Sequence, residues 1–146
     1  MREILFRAKL DERIDEWIKG SLWYDSDSTA HIIGYRYWGE ISKDDLSDLD
    51  LISWKVIPKT IGQYTGLTDK NGKKIFEGDI VRALLSWDGE DVADVGRIFY
   101  SEELCGFYRT SKVFGDGCPS MSYTDEYEVI GNIYDNPELI GDTDNG

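Results

Sequence analysis

The side chains that usually carry acid–base and nucleophilic chemistry are few in this sequence and lie far apart. His31 is the only histidine, and it opens a predicted strand beside Ile32 and Ile33, which favours a structural role. Cys105 and Cys118 are the only cysteines, and neither has a histidine near it in sequence to act as a base. No serine lies in a nucleophile-elbow pattern. The sequence therefore predicts no catalytic residues and no enzymatic activity.

Carboxylates are abundant, and some of them cluster along the chain. With 29 acidic residues, short clusters are expected by chance and are typical of a solvated surface rather than of glycosidase or two-metal chemistry. These clusters are Glu102-Glu103, Asp125-Glu126 and the group Asp88, Glu90, Asp91 and Asp94.

The segment Asp69-Lys70-Asn71-Gly72 superficially has the composition of a calcium loop. An EF-hand loop has its glycine at the sixth position, however, and Lys73 and Lys74 would repel the cation. The sequence also contains neither a Walker lysine loop nor a GxGxxG pattern after a strand. We therefore predict no metal site and no cofactor.

Net charge is the most informative bulk property of the chain. With 16 basic residues against 29 acidic ones, the formal net charge is −13. This argues against nucleic acid as a partner, because phosphate contacts need a basic face. The only local basic cluster in the sequence is the turn with Lys70, Lys73 and Lys74. Lys112 is the last basic residue, so the acidic part that follows would repel anionic surfaces.

The sequence indicates a cytoplasmic protein that does not enter a membrane. No apolar run approaches the roughly 20 residues that a membrane span needs. The opening Met1-Arg2-Glu3-Ile4-Leu5 has an acid where a signal peptide would be basic and then apolar. Two cysteines without a CxxC motif fit reduced thiols in a reducing cytosol, and pairing of Cys105 with Cys118 is left open.

The chain is predicted to form one domain over residues 1–140, with a disordered tail at 141–146. Alternation predicts a first strand over residues 2–9, whereas the spacing in residues 10–20 fits either a helical turn or the second arm of a hairpin. A hairpin is predicted around the polar loop 25–29, and the acidic segment 44–50 is predicted to be a surface loop or one helical turn.

Short strands are predicted along the rest of the chain. Extended pieces at 54–57 and 61–65 precede the turn dipeptide Asn71-Gly72. Strands follow at 79–85, 95–100, 106–109 and 127–134, with a polar loop from Asp88 to Asp94. Asn136 is predicted to be the N-cap of a helix that starts at Pro137. The fold class is therefore α+β and mostly β, with short strands that close most easily into a small barrel.

Three blocks of the sequence resemble the YopX family of phage and prophage proteins. They are the opening from Met1 to Ala8, the central stretch from Ile61 to Val81 and the ending from Glu128 to Leu139. The segment Lys9-Leu10-Asp11-Glu12-Arg13 departs from the family pattern. The signature positions are Gly62, Tyr64, Gly66, Asp69, Gly72, Glu77, Gly78, Asp79, Gly131, Asn132 and Pro137.

The resemblance implies a small phage or prophage protein with an SH3-like barrel of short antiparallel strands and a few short helices. It brings no catalytic residues with it. We expect the signature to be structural, with glycines where the backbone turns or crosses closely, and with Asp79 accepting hydrogen bonds from nearby backbone amides.

The leading functional hypothesis is a non-catalytic protein-interaction module that forms a homo-oligomer and binds a host or phage protein. It depends on the surplus of aromatic residues in the first half, which a small core does not fully bury. An alternative is an acidic mimic of nucleic acid that inhibits a host DNA-binding protein. A lesser alternative is a single-stranded nucleic-acid binder. The aromatic residues concerned are Trp23, Tyr24, Tyr35, Tyr37, Trp38 and Trp54.

Overall fold

The computed structural model describes residues 2–37, 49–114 and 126–141. These residues are mostly β-strand and form antiparallel sheets, with single turns of 3-10 helix at Pro58–Thr60 and Pro137–Leu139. The chain divides into two compact units, one of residues 3–63 and the other from residue 64 onward. Within the described ranges, no helix has the length and apolar character to cross a membrane.

The first unit is built on four antiparallel strands, β1 (Phe6–Lys9), β2 (Trp17–Tyr24), β3 (Ala30–Tyr37) and β4 (Leu49–Lys55), which lie in the order β4-β3-β2-β1. The start of a fifth strand, β5 (Gly62–Thr68), pairs with β1. Because side chains alternate between the two faces of a sheet, one face supplies the apolar core, formed by Ala8, Leu10, Ala30, Ile32 and Val56.

Of residues 10–20, which are predicted to be either a helical turn or the second arm of a hairpin, residues 17–20 begin that second arm, and residues 11–16 form the connection to it without a helical turn. Lys9 pairs with Trp17 and Phe6 pairs with Gly20, so the end of this segment belongs to β2. The first strand begins at Phe6, later than the alternation predicted. The hairpin predicted around residues 25–29 is confirmed, with Tyr24 paired to Ala30.

The second unit contains the end of β5, which pairs with β6 (Lys74–Phe76), and a four-stranded antiparallel sheet. The sheet has the order β10-β7-β8-β9, and its core-facing side packs around Ile75, Val81, Ala83, Ile98 and Tyr127. The strands predicted after residue 79 are confirmed in outline as β7 (Asp79–Trp87), β8 (Glu90–Ser101), β9 (Gly106–Arg109) and β10 (Tyr127–Asn132).

The polar loop predicted from Asp88 to Asp94 is wrong. Trp87 pairs with Glu90, and the two residues between them, Asp88 and Gly89, have φ angles of 53° and 80°. Positive φ at both positions is what a type I′ hairpin turn requires, and Asp-Gly is a favoured sequence for it. The acidic stretch after the turn is therefore strand, with one buried member, Asp94.

The end of the described chain agrees only in part with the prediction. Pro137 opens a helical turn as predicted, but Asn136 makes no side-chain cap to it. Instead, Asn136 Oδ1 accepts a hydrogen bond from the backbone N–H of Asn132 at 3.3 Å.

The strands of the described residues do not close into a barrel, and the single-domain organisation stays a prediction. Leu49 and Asp50, at the end of the predicted acidic loop, already belong to β4. Residues 44–48 of that loop, Trp38, Cys118 and residues 142–146 of the predicted tail lie outside the described residues.

Candidate functional site

The candidate site is a groove of about 480 Å³ on the surface of the second unit. Leu84 is 56% exposed and Phe114 is 45% exposed, so two large apolar side chains stay in contact with water. Exposed apolar area costs roughly 25 cal/mol per Å², and apolar grooves with polar rims are typical of protein contacts. The groove is lined by Lys70, Leu84, Leu85, Ser86, Asp91, Phe114 and Glu126.

A buried aspartate holds one side of this groove in place. Asp94 Oδ2 accepts hydrogen bonds from Arg109 Nη1 and from Ser111 Oγ, each at 2.6 Å, and Asp94 Oδ1 accepts one from the Lys112 backbone N–H at 2.9 Å. Ser111 Oγ in turn accepts the backbone N–H of Phe114 at 2.9 Å. The network thus fixes the segment after β9 and presents Phe114 at the groove.

Asp94 and Arg109 are both charged members of this network, and at most 1% of either side chain is exposed. Burial acts to raise the pKa of Asp94, but hydrogen bonds from Arg109 and Ser111 outweigh it and hold this pKa below its ordinary value. Burial likewise acts to lower the pKa of Arg109, whereas its hydrogen bonds to Asp94 and Tyr127 raise that pKa. A charged pair without access to solvent is suited to positioning the backbone around it rather than to contact with a substrate.

A second buried aspartate, Asp69, builds the turn that carries Lys70 to the rim. Asp69 Oδ1 accepts the backbone N–H groups of Asn71 and Lys73, both at 2.9 Å, and Asp69 Oδ2 accepts that of Val129 at 3.0 Å. Burial acts to raise the pKa of Asp69, yet these hydrogen bonds hold it below its ordinary value. All of this carboxylate's described contacts are backbone donors, so the turn is stabilised by the chain itself and has no need of a cation.

The signature glycines lie where the backbone turns or passes close to another group. Gly66, Gly72 and Gly78 have φ angles of 88°, 79° and 86°, in the region that other residues rarely adopt. At Gly131, an added Cβ would lie 2.5 Å from Oδ1 of Asn136. Gly62 is buried at the start of β5.

The polar signature residues make hydrogen bonds within their own turns. Asp79 Oδ2 accepts the backbone N–H of Phe76 at 2.8 Å, as predicted. Asn132 Oδ1 accepts the backbone N–H of Tyr134 at 3.0 Å. The remaining members are Tyr64, buried in β5, Glu77, half-buried between β6 and β7, and Pro137, which opens the last 3-10 turn.

The fold divides the acidic cluster that the sequence places around the β7–β8 hairpin. Asp88 and Asp91 are exposed at the β7–β8 hairpin, whereas Asp94 is buried. Within the described ranges, no group of three or more His, Cys, Asp or Glu side chains is placed to hold a metal ion. Cys105 is an exposed free thiol in the turn between β8 and β9.

His31 is part of a small polar and aromatic arrangement on the first unit. Its Nε2 donates a hydrogen bond to Asp25 Oδ2 at 2.8 Å, and its ring stacks on Trp23 with the centroids 4.6 Å apart. The hydrogen bond from His31, with help from the backbone N–H of Thr29, holds the pKa of Asp25 below its ordinary value. Asp25 also accepts the backbone N–H of Asp27 at 2.9 Å, which closes the 25–29 loop.

Sequence reasoning missed the groove, although one signal for it was present. Leu84 and Leu85 are adjacent in a strand, so they point to opposite faces, and only Leu85 is partly covered. Of the six aromatic residues predicted to exceed the core, Trp23 is 37% and Tyr24 57% exposed, and Trp54 is half-buried. The side chains of Tyr35 and Tyr37, and all of Trp38, lie outside the described part of the chain.

One protein-family model and one solved structure are similar to this chain over nearly its whole length. The family model described as YopX protein matches residues 6–141. The crystal structure of protein EF1440 from Enterococcus faecalis is similar, with 27% sequence identity and a TM-score of 0.58 over 96% of this chain and 99% of that chain. A comparison with curated proteins found no match. Because the family model covers nearly all of the sequence, this chain belongs to the YopX family.

Proposed function

We propose that this chain is a phage-type accessory protein that acts without catalysis, through protein contacts made by the groove of the second unit. Its first partner in this proposal is a second copy of the same chain. The observation that carries the proposal is the exposure of Leu84 and Phe114 in one groove, together with the buried Asp94 network that holds Phe114 there. Membership of the YopX family supports the phage-type role.

The charges around the groove favour a second copy as the occupant. The lining includes Lys70 as well as Asp91 and Glu126, so both signs of charge are present. Lys70 Nζ also lies 3.5 Å from Glu128 Oε2 of its own chain, in an ion pair that is partly exposed. In a two-fold symmetric dimer the same patch meets itself, and each Lys70 can then face a carboxylate of the other copy. The apolar side chains between these charges lose their contact with water in the dimer.

The net charge of −13 sets how this dimer should respond to salt. Two strongly acidic copies repel each other at long range, and salt screens that repulsion, with a Debye length of about 10 Å at 0.1 M. Apolar contacts are not weakened by salt in this range. Self-association through the groove is therefore expected to strengthen as ionic strength rises.

Size-exclusion chromatography with light scattering on the wild type and two variants tests this proposal. Leu84→Glu places a charge in the groove and is expected to yield monomers, whereas the wild type is expected to run as a dimer. Leu104→Glu is the matched control, because Leu104 is 55% exposed on the same unit but lies beyond the far end of β8. A monomeric wild type, or a Leu84→Glu variant that stays dimeric, would refute the proposal.

We further propose that the dimer works in the cytoplasm of the bacterial host and binds a host or phage protein there. The SH3-like barrel implied by the family resemblance is part of this proposal rather than of the described fold. Affinity capture with the wild type and with Leu84→Glu, compared from the same host lysate, separates partners that need the groove from those that do not.

A further inference from the structure

The sheet of the first unit has a second face, opposite its core, which we call the outer face. Strand register places its residues side by side, with Arg7 beside Lys19, Trp23 beside His31 and His31 beside Lys55. These residues alternate along the strands with the core residues. Among the residues whose side chains the structure describes, the outer face includes Arg7, Lys9, Trp17, Lys19, Ser21, Trp23, His31, Ile33, Ser53 and Lys55.

The outer face is basic although the chain is strongly acidic. Four of these ten residues are lysine or arginine, and none of the ten is acidic. With 29 acids and 16 bases in 146 residues, ten positions taken at random would include about two acids and one base. Folding therefore gathers cations from β1, β2 and β4, far apart in sequence, onto one face of the sheet, where Lys19 and Lys55 are the exposed cations among these ten residues. A local gathering of cations is one of the features expected of a polyanion-binding surface.

The members of the outer face differ in their exposure to solvent. Lys19, Trp23 and Lys55 are exposed. Lys9 is half-buried, and its Nζ lies 5.5 Å from the centre of the Trp17 ring. Arg7 is buried, with its Cζ 4.9 Å from the same ring.

Two carboxylates border the outer face and limit its charge. Asp11 Oδ2 lies 3.4 Å from Lys55 Nζ, with both side chains about half exposed. Asp25 Oδ2 lies 2.8 Å from His31 Nε2. An exposed ion pair of this kind contributes about 0–1 kcal/mol, so a phosphate group can displace Asp11 from Lys55.

Trp23 gives the outer face a fixed aromatic surface. Its ring stacks on His31 with an interplanar angle of 19°, and its Nε1 donates a hydrogen bond to Ser53 Oγ at 3.0 Å. With these two contacts in place, 37% of the surface of Trp23 is still exposed to solvent. A ring fixed beside cations suits stacking of an unpaired base.

A cleft of about 340 Å³ is lined by His31 and Ser53, the two residues that contact the Trp23 side chain. It shares His31, Ser53 and Lys55 with the outer face, and its lining also includes Arg13, whose Nη1 lies 3.4 Å from Glu16 Oε1. Its volume is at the small end of small-molecule sites, which is suitable for one nucleotide rather than for a folded protein segment. Glu12 also lines the cleft and opposes a purely electrostatic attraction.

We propose that the outer face binds single-stranded nucleic acid, with phosphates at Lys19 and Lys55 and a base stacked on Trp23. An acidic peptide would use the cations but not the ring, and a duplex would keep its bases away from the ring, so the combination favours an unpaired strand. This site lies on the first unit and is separate from the groove proposed above.

Fluorescence anisotropy with a labelled oligothymidylate of about 12 nucleotides, within the site sizes of about 4–16 nucleotides of sheet-based binders, tests the proposal. Binding is expected at about 50 mM salt and is expected to weaken strongly by about 200 mM, since phosphate contacts release counterions. Trp23→Ala is expected to weaken binding about 5- to 150-fold, which corresponds to about 1–3 kcal/mol for one stacked base. Lys19→Glu and Lys55→Glu are each expected to weaken binding and to make the dissociation constant less dependent on salt concentration, because each removes one phosphate contact.

Lys73→Glu is the matched control. It makes the same change of charge in the basic turn of Lys70, Lys73 and Lys74, which belongs to the second unit. It is expected to bind as the wild type does. Circular dichroism checks that Trp23→Ala is folded. Lys19→Glu tests the contribution of the outer face to binding a second time, at an exposed residue whose replacement does not disturb the core. Light scattering on Trp23→Ala is expected to show the same mass as the wild type. Failure of the nucleic-acid proposal is therefore distinguishable from failure of the proposed dimer contact through the groove.

Four results would overturn the proposal. They are no anisotropy change at low salt, equal affinity for a duplex of the same length, equal competition by polyglutamate, and a loss of binding in Lys73→Glu without one in Trp23→Ala.

Discussion

Replacement of Asp94 by asparagine should remove a large part of the stability of the second unit. The asparagine has nearly the same shape, but it is neutral and presents an N–H₂ group where donors already point. Arg109 Nη1, now 2.6 Å from a carboxylate oxygen, would keep its positive charge in a site where 1% of the side chain is exposed. A buried charge without its counterion is among the more costly changes that a fold can accept.

The magnitude follows from the burial of both partners. Removal of one member of a buried ion pair costs about 3–5 kcal/mol, and a whole domain is stable by only about 5–15 kcal/mol. We therefore expect Asp94→Asn to lose about 3–5 kcal/mol of unfolding free energy at neutral pH. The double variant Asp94→Asn/Arg109→Met should recover part of this loss, because it leaves no unpaired charge.

Urea unfolding followed by circular dichroism measures these free energies. Asp91→Asn is the matched control, since Asp91 lies on the same strand and is exposed, and such surface changes stay within about 0.5 kcal/mol. A loss below about 1 kcal/mol in Asp94→Asn, equal to that of the control, would refute the argument that the Asp94–Arg109 pair holds the fold.

The same pair sets a pH dependence with a definite sign. The pKa of Asp94 is lower in the folded protein than its ordinary value, so its stabilisation is complete above about pH 4 and is lost as the pH falls through the folded value. The wild type should therefore lose stability in acid more steeply than Asp94→Asn. Parallel curves for the two proteins would contradict this.

Other substitutions test local parts of the account. Gly72→Ala should cost about 1–2 kcal/mol, because φ is 79° there and nothing lies within 4 Å of the added methyl group. Gly20→Ala should cost more, because its methyl group would collide with the carbonyl oxygen of Ile33 across β2 and β3; equal urea midpoints would contradict this order. His31→Ala should raise the pKa of Asp25 towards its ordinary value, since the hydrogen bond from His31 is the main cause of the lowered pKa. Carboxyl chemical shifts followed by NMR measure that pKa, and an unchanged value would remove His31 as the cause.

The parts of the fold that local sequence could predict are those with strong local signals. The turn formers in residues 25–29 and Asn71-Gly72 specify their hairpins by themselves. The Asp88-Gly89 turn has an equally strong signal, yet the acidic residues after it were interpreted as loop. The stretch is strand nonetheless, with Glu90 and Asp91 exposed and the buried Asp94 compensated by Arg109 from a different strand, a contact that composition does not reveal.

Both candidate surfaces depend on register and could not be predicted from composition. Phe114 lines the same groove as Leu84, and its backbone N–H is held by Ser111, which is in turn hydrogen-bonded to Asp94. Lys19 and Lys55 share a face because β2, β3 and β4 pair in one particular register, and a slip of one residue would move every side chain to the opposite face. Sequence alone reveals a basic cluster only where lysines are close along the chain, as in the turn with Lys70, Lys73 and Lys74.

Sedimentation equilibrium of the wild type at several protein concentrations, in low and in higher salt, is the most direct test of the central claim that this YopX chain acts through the groove of its second unit. The account predicts a monomer–dimer equilibrium that shifts towards dimer as salt rises, and a Leu84→Glu variant that stays monomeric throughout. A wild type that is monomeric in every condition, or a dimer that dissociates as salt rises, would contradict it.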